Sequence, residues 1–385
     1  MKLLHLGDLH LGKTVNEFSM IEDQKYILGQ VISCIESNKI DALMIAGDVY
    51  DKSIPSEEAV MLLDDFLCQL ADRKVTVFMI SGNHDSDERL NFASNLLASK
   101  DIHIGAIYDG RIKKVTMTDA YGPVNFYLLP FVKGSHVKHY YQDEDIVDYE
   151  SAVRCALSHT EINTSERNVI LSHQFVTGNK DPETAGSENI ATINVGTIER
   201  ISGACYKDFD YVALGHIHSP QAIGRETVRY SGSPLKYSLS EVNNHKSMPM
   251  ITLGPKGDIT VDLLPLTPLR DMRHLRGPIT ELLKKEHVEN PDDYIYMTLT
   301  DRDVITDAMA RIQQIYPNTM KVDYDNERTK SAGSVDFSEV GVAGKSFTEL
   351  ISDYFLSQMK IEIDEEQLFI LKEAAREAGV IDEAD

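Results

Sequence analysis

Cysteine is scarce in this chain and poorly placed for cross-linking. Its four thiols, Cys34, Cys68, Cys155 and Cys205, are scattered, with no C-x-x-C pair among them. That spacing argues against a disulfide framework or a zinc knuckle and fits a reducing compartment. Long apolar runs are missing too: none approaches the roughly 18 residues of a membrane span. The opening Met1-Lys2-Leu3-Leu4-His5-Leu6-Gly7-Asp8 reaches a carboxylate too soon to hold the apolar core of a signal peptide. A cytoplasmic protein without a membrane partner is expected. Positive charge is also short: 38 lysines and arginines face 61 acidic residues, a net charge of −23. Phosphate contacts come from lysine and arginine, so this balance disfavours a nucleic-acid binder working alone. Two readings survive. Either the acidic surface only keeps the protein in solution, or a partner holds the nucleic acid while metal ions offset charge at a cleft.

What is present suits a sizeable core. At 385 residues, 42% apolar and 26% charged, the chain has room for two domains, or for one large domain with appendages. The stretch Leu43–Asp51 (LMIAGDVYD) organises the rest. Its apolar run ends in a glycine followed by carboxylates, so Asp48 falls where a buried parallel strand stops, the edge at which open α/β sheets bind ligands. Four other places repeat the pattern. Lys2–Leu6 leads to Asp8 and His10, Val75–Ile80 to Asn83, Val169–Leu171 to His173, and Tyr211–Leu214 to His216 and His218.

The periodicity predicts helices over Ile21–Ile40 and Ala59–Leu70, which gives an opening β-α-β-α-β with helices on a parallel sheet. The middle is less regular. Val124–Leu129 reads as a strand, Tyr140–Glu150 as an acidic loop or helix start, and 177–198 as a long surface loop. Val228–Leu264 alternates like antiparallel strands around the tight loop Ser231-Gly232-Ser233-Pro234. The texture changes near Pro265–Pro268. Beyond it lie a short helix (Ile279–Glu286), a strand (Tyr294–Thr300), a helix (Val304–Ile315) and a strand (Lys321–Tyr324). Four segments are expected: a catalytic domain over 1–266, a small α+β unit over 267–330, a linker over 331–346 and a helical tail over 347–385. The tail opens with the capping-box pattern Ser346-Phe347-Thr348-Glu349, and residues 361–385 carry nine acidic and two basic residues.

Each strand-end group has a bland explanation alone, as a turn residue or a hydrogen-bonded histidine. Those explanations do not account for all five falling at the same end of a strand. Carboxylate, imidazole and amide oxygen without thiolate suit Mn²⁺, with Mg²⁺, Fe²⁺ or Zn²⁺ as alternatives, and one carboxylate can bridge two such ions for hydrolysis at phosphorus.

In order along the chain, Asp8-x-His10, Gly47-Asp48-x-x-Asp51, Gly82-Asn83-His84-Asp85, His173 and Gly215-His216-x-His218 resemble the five motifs of the calcineurin-like metallophosphoesterases. The resemblance implies an α/β fold: a sandwich of mixed sheets flanked by helices, with a capping domain and a helical tail. It implies two Mn²⁺ ions. Asp8, His10, Asp48 and His218 would hold one, and Asp48, Asn83, His173 and His216 the other. It gives His84 the scissile phosphate, and Asp51 the task of orienting His84. Further likeness lies in the segments 7–13, 82–90 and 230–238. These resemble the double-strand-break repair nucleases, which implies a DNA exonuclease and endonuclease of the cytoplasm and nucleoid. Such an enzyme works as a homodimer with a coiled-coil SMC-type ATPase that docks the C-terminal helices. Lys13 and Arg89 are then candidate contacts to DNA phosphates. Two rivals are weighed against this: a phosphoesterase for small phosphodiesters or phosphoproteins, and an idle scaffold for the ATPase.

Overall fold

A computed structural model of the chain describes residues 1–178, 180–184, 200–325, 352, 363–364, 367–368 and 370–372. The expected linker 331–346 lies outside the described residues, as do most of the tail 347–385 and most of the loop 177–198. The chain divides into two units. The first takes in Met1–His274, Asn290–Tyr296 and Tyr316–Lys321, and the second Leu275–Glu289, Met297–Ile315 and the residues from Val322 onward. No helix among the described residues is long and apolar enough to cross a membrane.

Two six-stranded sheets build the first unit. One is ordered Ile259–Pro265, Ser247–Leu253, Lys2–Leu6, Ala42–Ala46, Thr76–Ile80, Ile102–Gly105, and its last four strands are parallel. The other runs Gln221–Ile223, Arg225–Tyr230, Tyr211–Gly215, Arg167–His173, Gly122–Leu129, Lys113–Asp119, with its middle four parallel. Antiparallel strands close one edge of the first sheet and both edges of the second.

Alternation along each strand explains the layering. Ala42, Met44, Phe78 and Ile80 of the first sheet meet Val169, Leu171, Tyr211 and Ala213 of the second in a core between the sheets. Their neighbours Leu43, Ile45, Val77 and Met79 face the other way, onto helices Ile21–Asn38 and Glu57–Asp72. Ile170, Val212 and Leu214 do the same toward helix Tyr149–Ser158. The result is four layers, helix, sheet, sheet, helix. Every residue of Ala42–Ala46 is fully buried, and each large side chain in it contributes roughly 1.5–3 kcal/mol. Phe78 stacks on Phe126 across the sheets at 4.0 Å between ring centres.

Capping fixes where the helices begin and end. Ser56 accepts the Ala59 N–H at the start of Glu57–Asp72, and Lys39, in left-handed backbone, ends Ile21–Asn38. The expected helices 21–40 and 59–70 thus appear within about two residues. The uninterpreted acidic stretch 140–150 ends in a capping box. Asp148 accepts the Ser151 N–H at 2.8 Å while the Ser151 hydroxyl accepts the Asp148 N–H at 3.0 Å.

One expectation fails outright. Val228–Leu264 is not a continuous antiparallel set: Arg225–Tyr230 lies parallel to Tyr211–Gly215 in the second sheet, while Ser247–Leu253 and Ile259–Pro265 belong to the first. Alternation reports which face is buried and carries no information on strand direction.

In the second unit, the C-terminal parts of strands Met272–Gly277, Tyr294–Leu299 and Thr319–Tyr324 pair in that order, with short helices Ile279–Leu282 and Ala308–Gln313. Both helices are shorter than expected. Ile279, Met297, Leu299, Ala308 and Ile312 are its buried apolar residues among those described.

Candidate metal centre

The parallel strands of both sheets end on one edge. Beyond the first sheet the backbone keeps pairing, because Asp8 N–H donates to the Gly47 carbonyl, His10 N–H to that of Asp48 and Leu11 N–H to that of Val49. The turns bend sharply: Asp8, His10 and Asp48 adopt left-handed backbone with φ of 54°, 43° and 47°, and His216 has φ 101°. Such conformations cost on the order of 1–3 kcal/mol each and gather at functional sites. Two glycines let the loops close. A Cβ on Gly82 would sit 2.1 Å from Asp48 Oδ1, and one on Gly215 would sit 1.9 Å from the Ala46 carbonyl oxygen and 2.8 Å from His173 Nδ1.

All seven candidate ligands come together. Asp48 Oδ2 lies 3.5 Å from His10 Nε2 and 3.4 Å from His173 Nε2, so one carboxylate oxygen faces an imidazole on either side. On the first side, His10 Nε2 and His218 Nε2 are 3.1 Å apart. On the second, Asn83 Oδ1 lies 3.0 Å from His173 Nε2 and 3.0 Å from His216 Nδ1. Asp8 joins both: its Oδ1 accepts the His216 N–H at 2.8 Å and stands 4.0 Å from His173 Nδ1. Donor atoms of Asp8, His10 and His218 fall within 4.8 Å of one another, as do those of Asp8, Asp48 and His173.

These residues fit divalent cations on physical grounds. His173 donates Nδ1–H to the Ala46 carbonyl at 2.8 Å, so Nε2 is the nitrogen that faces Asp48 Oδ2 and Asn83 Oδ1. Two acceptor oxygens turned on one imidazole nitrogen need a positive species there, a proton or a metal ion. Asp8 Oδ2 is buried and has no hydrogen-bond partner among the described residues, a costly state for a carboxylate oxygen unless a cation meets it. The titration directions agree. Burial raises Asp8, and burial drives His10 well below the ordinary histidine range. At His173 burial acts downward, but the charge and hydrogen bond of Asp48, the charge of Asp8 and the Ala46 carbonyl together raise the group; at Asp48 burial acts upward, but His173 and the neighbouring imidazoles hold the carboxyl well below its ordinary range. The pocket is a well of negative potential.

His84 stands beside this cluster, half-buried. Its backbone N–H donates to Asp48 Oδ1 at 2.9 Å, and its Nδ1–H donates to the Asp51 carbonyl at 3.0 Å. Asp51 therefore meets His84 through its main chain. Its carboxylate instead accepts from Lys13 Nζ at 2.7 Å and lies 3.6 Å from His10 Nδ1. Lys13 is thus tied to the site, whereas Arg89 is exposed and lines a separate apolar groove with Leu63, Leu67 and Phe92.

Several supporting residues escaped the sequence reading. Asp85, quoted in its motif without a role, accepts the N–H groups of Val49, Tyr50 and Gly82 at 3.1, 2.9 and 2.9 Å and so ties the Asp48 loop to the Asn83 loop. Burial, then the charge of Asp48, raises its titration. Gln24, on a helix with no motif, donates to the His10 carbonyl at 2.7 Å and accepts the Gly12 N–H at 3.0 Å. The only signal for it was a polar residue on a buried helix face. Glu241 and Lys246 are buried behind His218.

The model of the calcineurin-like phosphoesterase family matches residues 1–220, and the chain belongs to that family. Residues 268–359 match the model described as the type 5 capsule protein repressor C-terminal domain. A curated relative, the SbcD component of the nuclease SbcCD of Staphylococcus epidermidis, is 34% identical over 367 residues, covering 94% of this chain and 96% of the relative. Within the phosphoesterases, the chain therefore falls in the SbcD family of SbcCD nuclease components. Among solved structures, a dimetal phosphatase from Danio rerio matches at TM-score 0.38 and 12% identity, covering 69% of this chain and 98% of that one.

Proposed function

We propose that the protein is the nuclease component of an SbcCD-type complex and hydrolyses DNA phosphodiesters with two divalent cations. It acts as an exonuclease on double-stranded ends and as an endonuclease on single strands and hairpins. The observation that carries this reading is the position of Asp48 Oδ2, within 3.5 Å of an imidazole nitrogen on either side. Asp8, His10, Asp48 and His218 would hold one ion, and Asp48, Asn83, His173 and His216 the other, with Asp48 common to both sets. Manganese is our assignment, and Mg²⁺, Fe²⁺ and Zn²⁺ can use similar donors. When bound, the pair supplies Lewis acidity and charge neutralisation at the phosphoryl group.

The chain's own residues do the rest. His84, held by the Asp51 carbonyl at Nδ1 and by Asp48 at its backbone, presents Nε2 to the leaving oxygen, to protonate it or to stabilise its charge. Asp51 orients that ring through its carbonyl, and its carboxylate fixes Lys13. Lys13, Asn16, Tyr237 and Lys321 line an open groove of about 480 Å³, which suits a nucleic-acid backbone. Arg89 contributes a more distant phosphate contact. The 267–330 segment contacts DNA, and the tail after residue 346 docks an SbcC-type coiled-coil SMC ATPase in the cytoplasm, at the nucleoid. The name of the curated relative and the C-terminal match support this partner. Phe92, 81% accessible, lines an apolar groove of about 600 Å³ with Val60, Leu63 and Leu67, and Ile54, Met61 and Leu96 are further exposed apolar side chains. A second copy of the chain covers them, giving a complex with two copies of each component, and sedimentation velocity should return twice the chain mass.

The deciding experiment compares turnover of a labelled hairpin and a duplex end with that of a cyclic nucleotide, for the wild type and for His84→Ala. The variant should keep both Mn²⁺ ions and lose about 10²–10⁴-fold in DNA hydrolysis. Preference for the cyclic nucleotide would assign a small phosphodiester, and an inert, ion-free wild type would leave only a scaffold.

A further inference from the structure

Glu241 and Lys246 form an ion pair that is almost wholly enclosed, with side chains 0% and 5% accessible. Burying two charges is expensive, and a well-packed apolar pair is often as stable or more so, so stability is weak ground for this arrangement. Its contacts converge instead on one residue. Glu241 Oε1 stands 3.5 Å from His218 Nδ1, and Lys246 Nζ donates to the His218 carbonyl at 3.0 Å. Ser233, from the Ser231-Gly232-Ser233-Pro234 loop, completes the clamp: its N–H donates to the same carbonyl at 3.2 Å, and its hydroxyl oxygen accepts from Lys246 at 2.9 Å. The Tyr237 N–H, at 3.3 Å, holds the Glu241 carboxylate in place.

We infer that Glu241 and Lys246 are positioning residues for the ion held through His10 and His218. Glu241 fixes the His218 tautomer with its proton on Nδ1 and its lone pair on Nε2, and Lys246 fixes the depth of the residue. A carboxylate behind a ligating imidazole sets its tautomer and raises its basicity. The geometry separates the two ions. Behind His218 stands Glu241 paired with Lys246, and behind His10 stands Asp51 paired with Lys13. On the other side, His173 Nδ1 hydrogen-bonds the neutral Ala46 carbonyl at 2.8 Å, with Asp8 Oδ1 farther off at 4.0 Å. The inference rests on the two-ion reading above.

The test measures Mn²⁺ binding to the metal-free full chain by electron paramagnetic resonance of the unbound ion. Glu241→Leu with Lys246→Met removes both charges together, so neither is left buried alone, and thermal melting monitored by circular dichroism checks folding. One of the two affinities should fall near 100-fold while the other stays within about threefold. Glu241→Gln with Lys246→Met keeps an acceptor for Nδ1–H and should restore most of the loss, to near tenfold. Adding His216→Ala leaves the His10/His218 ion alone, and that ion's affinity is the one that should fall. Wild-type affinities in the Leu/Met variant, or equal weakening at both sites, overturn the inference. If that variant does not fold, the Gln/Met variant decides alone, and unchanged affinities there overturn it. A wild type that binds fewer than two ions sinks the two-ion reading itself, a separate result.

Discussion

The two sheets send different chemistry to the shared edge. The first sheet contributes both candidate carboxylate ligands and the amide, Asp8, Asp48 and Asn83, with His10 as its one imidazole. The second contributes only imidazoles, His173, His216 and His218. They also differ in how the groups are held. Asp8, His10 and Asp48 sit in left-handed backbone, strained into place, whereas His173 is the last residue of a regular strand and is aimed by one hydrogen bond to a carbonyl of the opposite sheet. The first side supplies negative charge, with Asp8, His10 and Asp48 in left-handed backbone, and the second supplies imidazoles, of which His216 alone shares a positive φ. The lesson is that charge and aim are separable. Substituting Asp48, the carboxylate shared between the two sides, should disturb both ions, and substituting a second-sheet imidazole should disturb one.

The harshest way to break that contrast is Asp48→Asn. Removing the shared charge should release both Mn²⁺ ions and lower DNA hydrolysis by about 10³-fold or more, read by metal analysis and a hairpin-cleavage assay. His216→Ala should vacate only the Asn83/His173 side, with one ion retained, so a variant that keeps both ions at full rate contradicts the division. The mildest test touches the seam between the sheets. His5, on the first sheet, lies with its Nδ1 3.0 Å from the Tyr211 hydroxyl of the second, and burial lowers its titration to about 3. Below about pH 6.5 the unfolded chain takes up a proton there that the native state refuses. Stability should therefore fall as pH drops from about 7 toward 3, by on the order of 4 kcal/mol from this group. His5→Gln keeps a partner for Tyr211 and should flatten the acid limb of a urea-unfolding series, and an unchanged limb would remove His5 from that account.

How much was legible follows from the same contrast. Asp8, Asp48, Asn83, His173, His216 and His218 could be found because each follows an apolar run, and parallel strands align their ends. The helices 21–38 and 57–72 were legible from their stripes and caps. Strand direction was not, which is why Arg225–Tyr230 was assigned to the wrong set of neighbours. Nor could the support of the ligands be read. Gln24, Asp85, Glu241 and Lys246 are polar residues whose role depends on burial against distant segments, and local spacing carries no trace of that. Asp51 shows the limit within a motif: its place was evident, but not that its carbonyl would hold His84 while its carboxylate held a lysine.

Residues 10 and 218 lie 208 positions apart along the chain, yet their Nε2 atoms come within 3.1 Å. A nascent polypeptide released before Gly215 contains the acidic half of the pocket and neither of its last two imidazoles. Hydrolytic competence thus arrives late in synthesis and late in folding, since contacts of such separation close only after both sheets have docked. For a nuclease, fragments and half-folded forms are disarmed by topology alone.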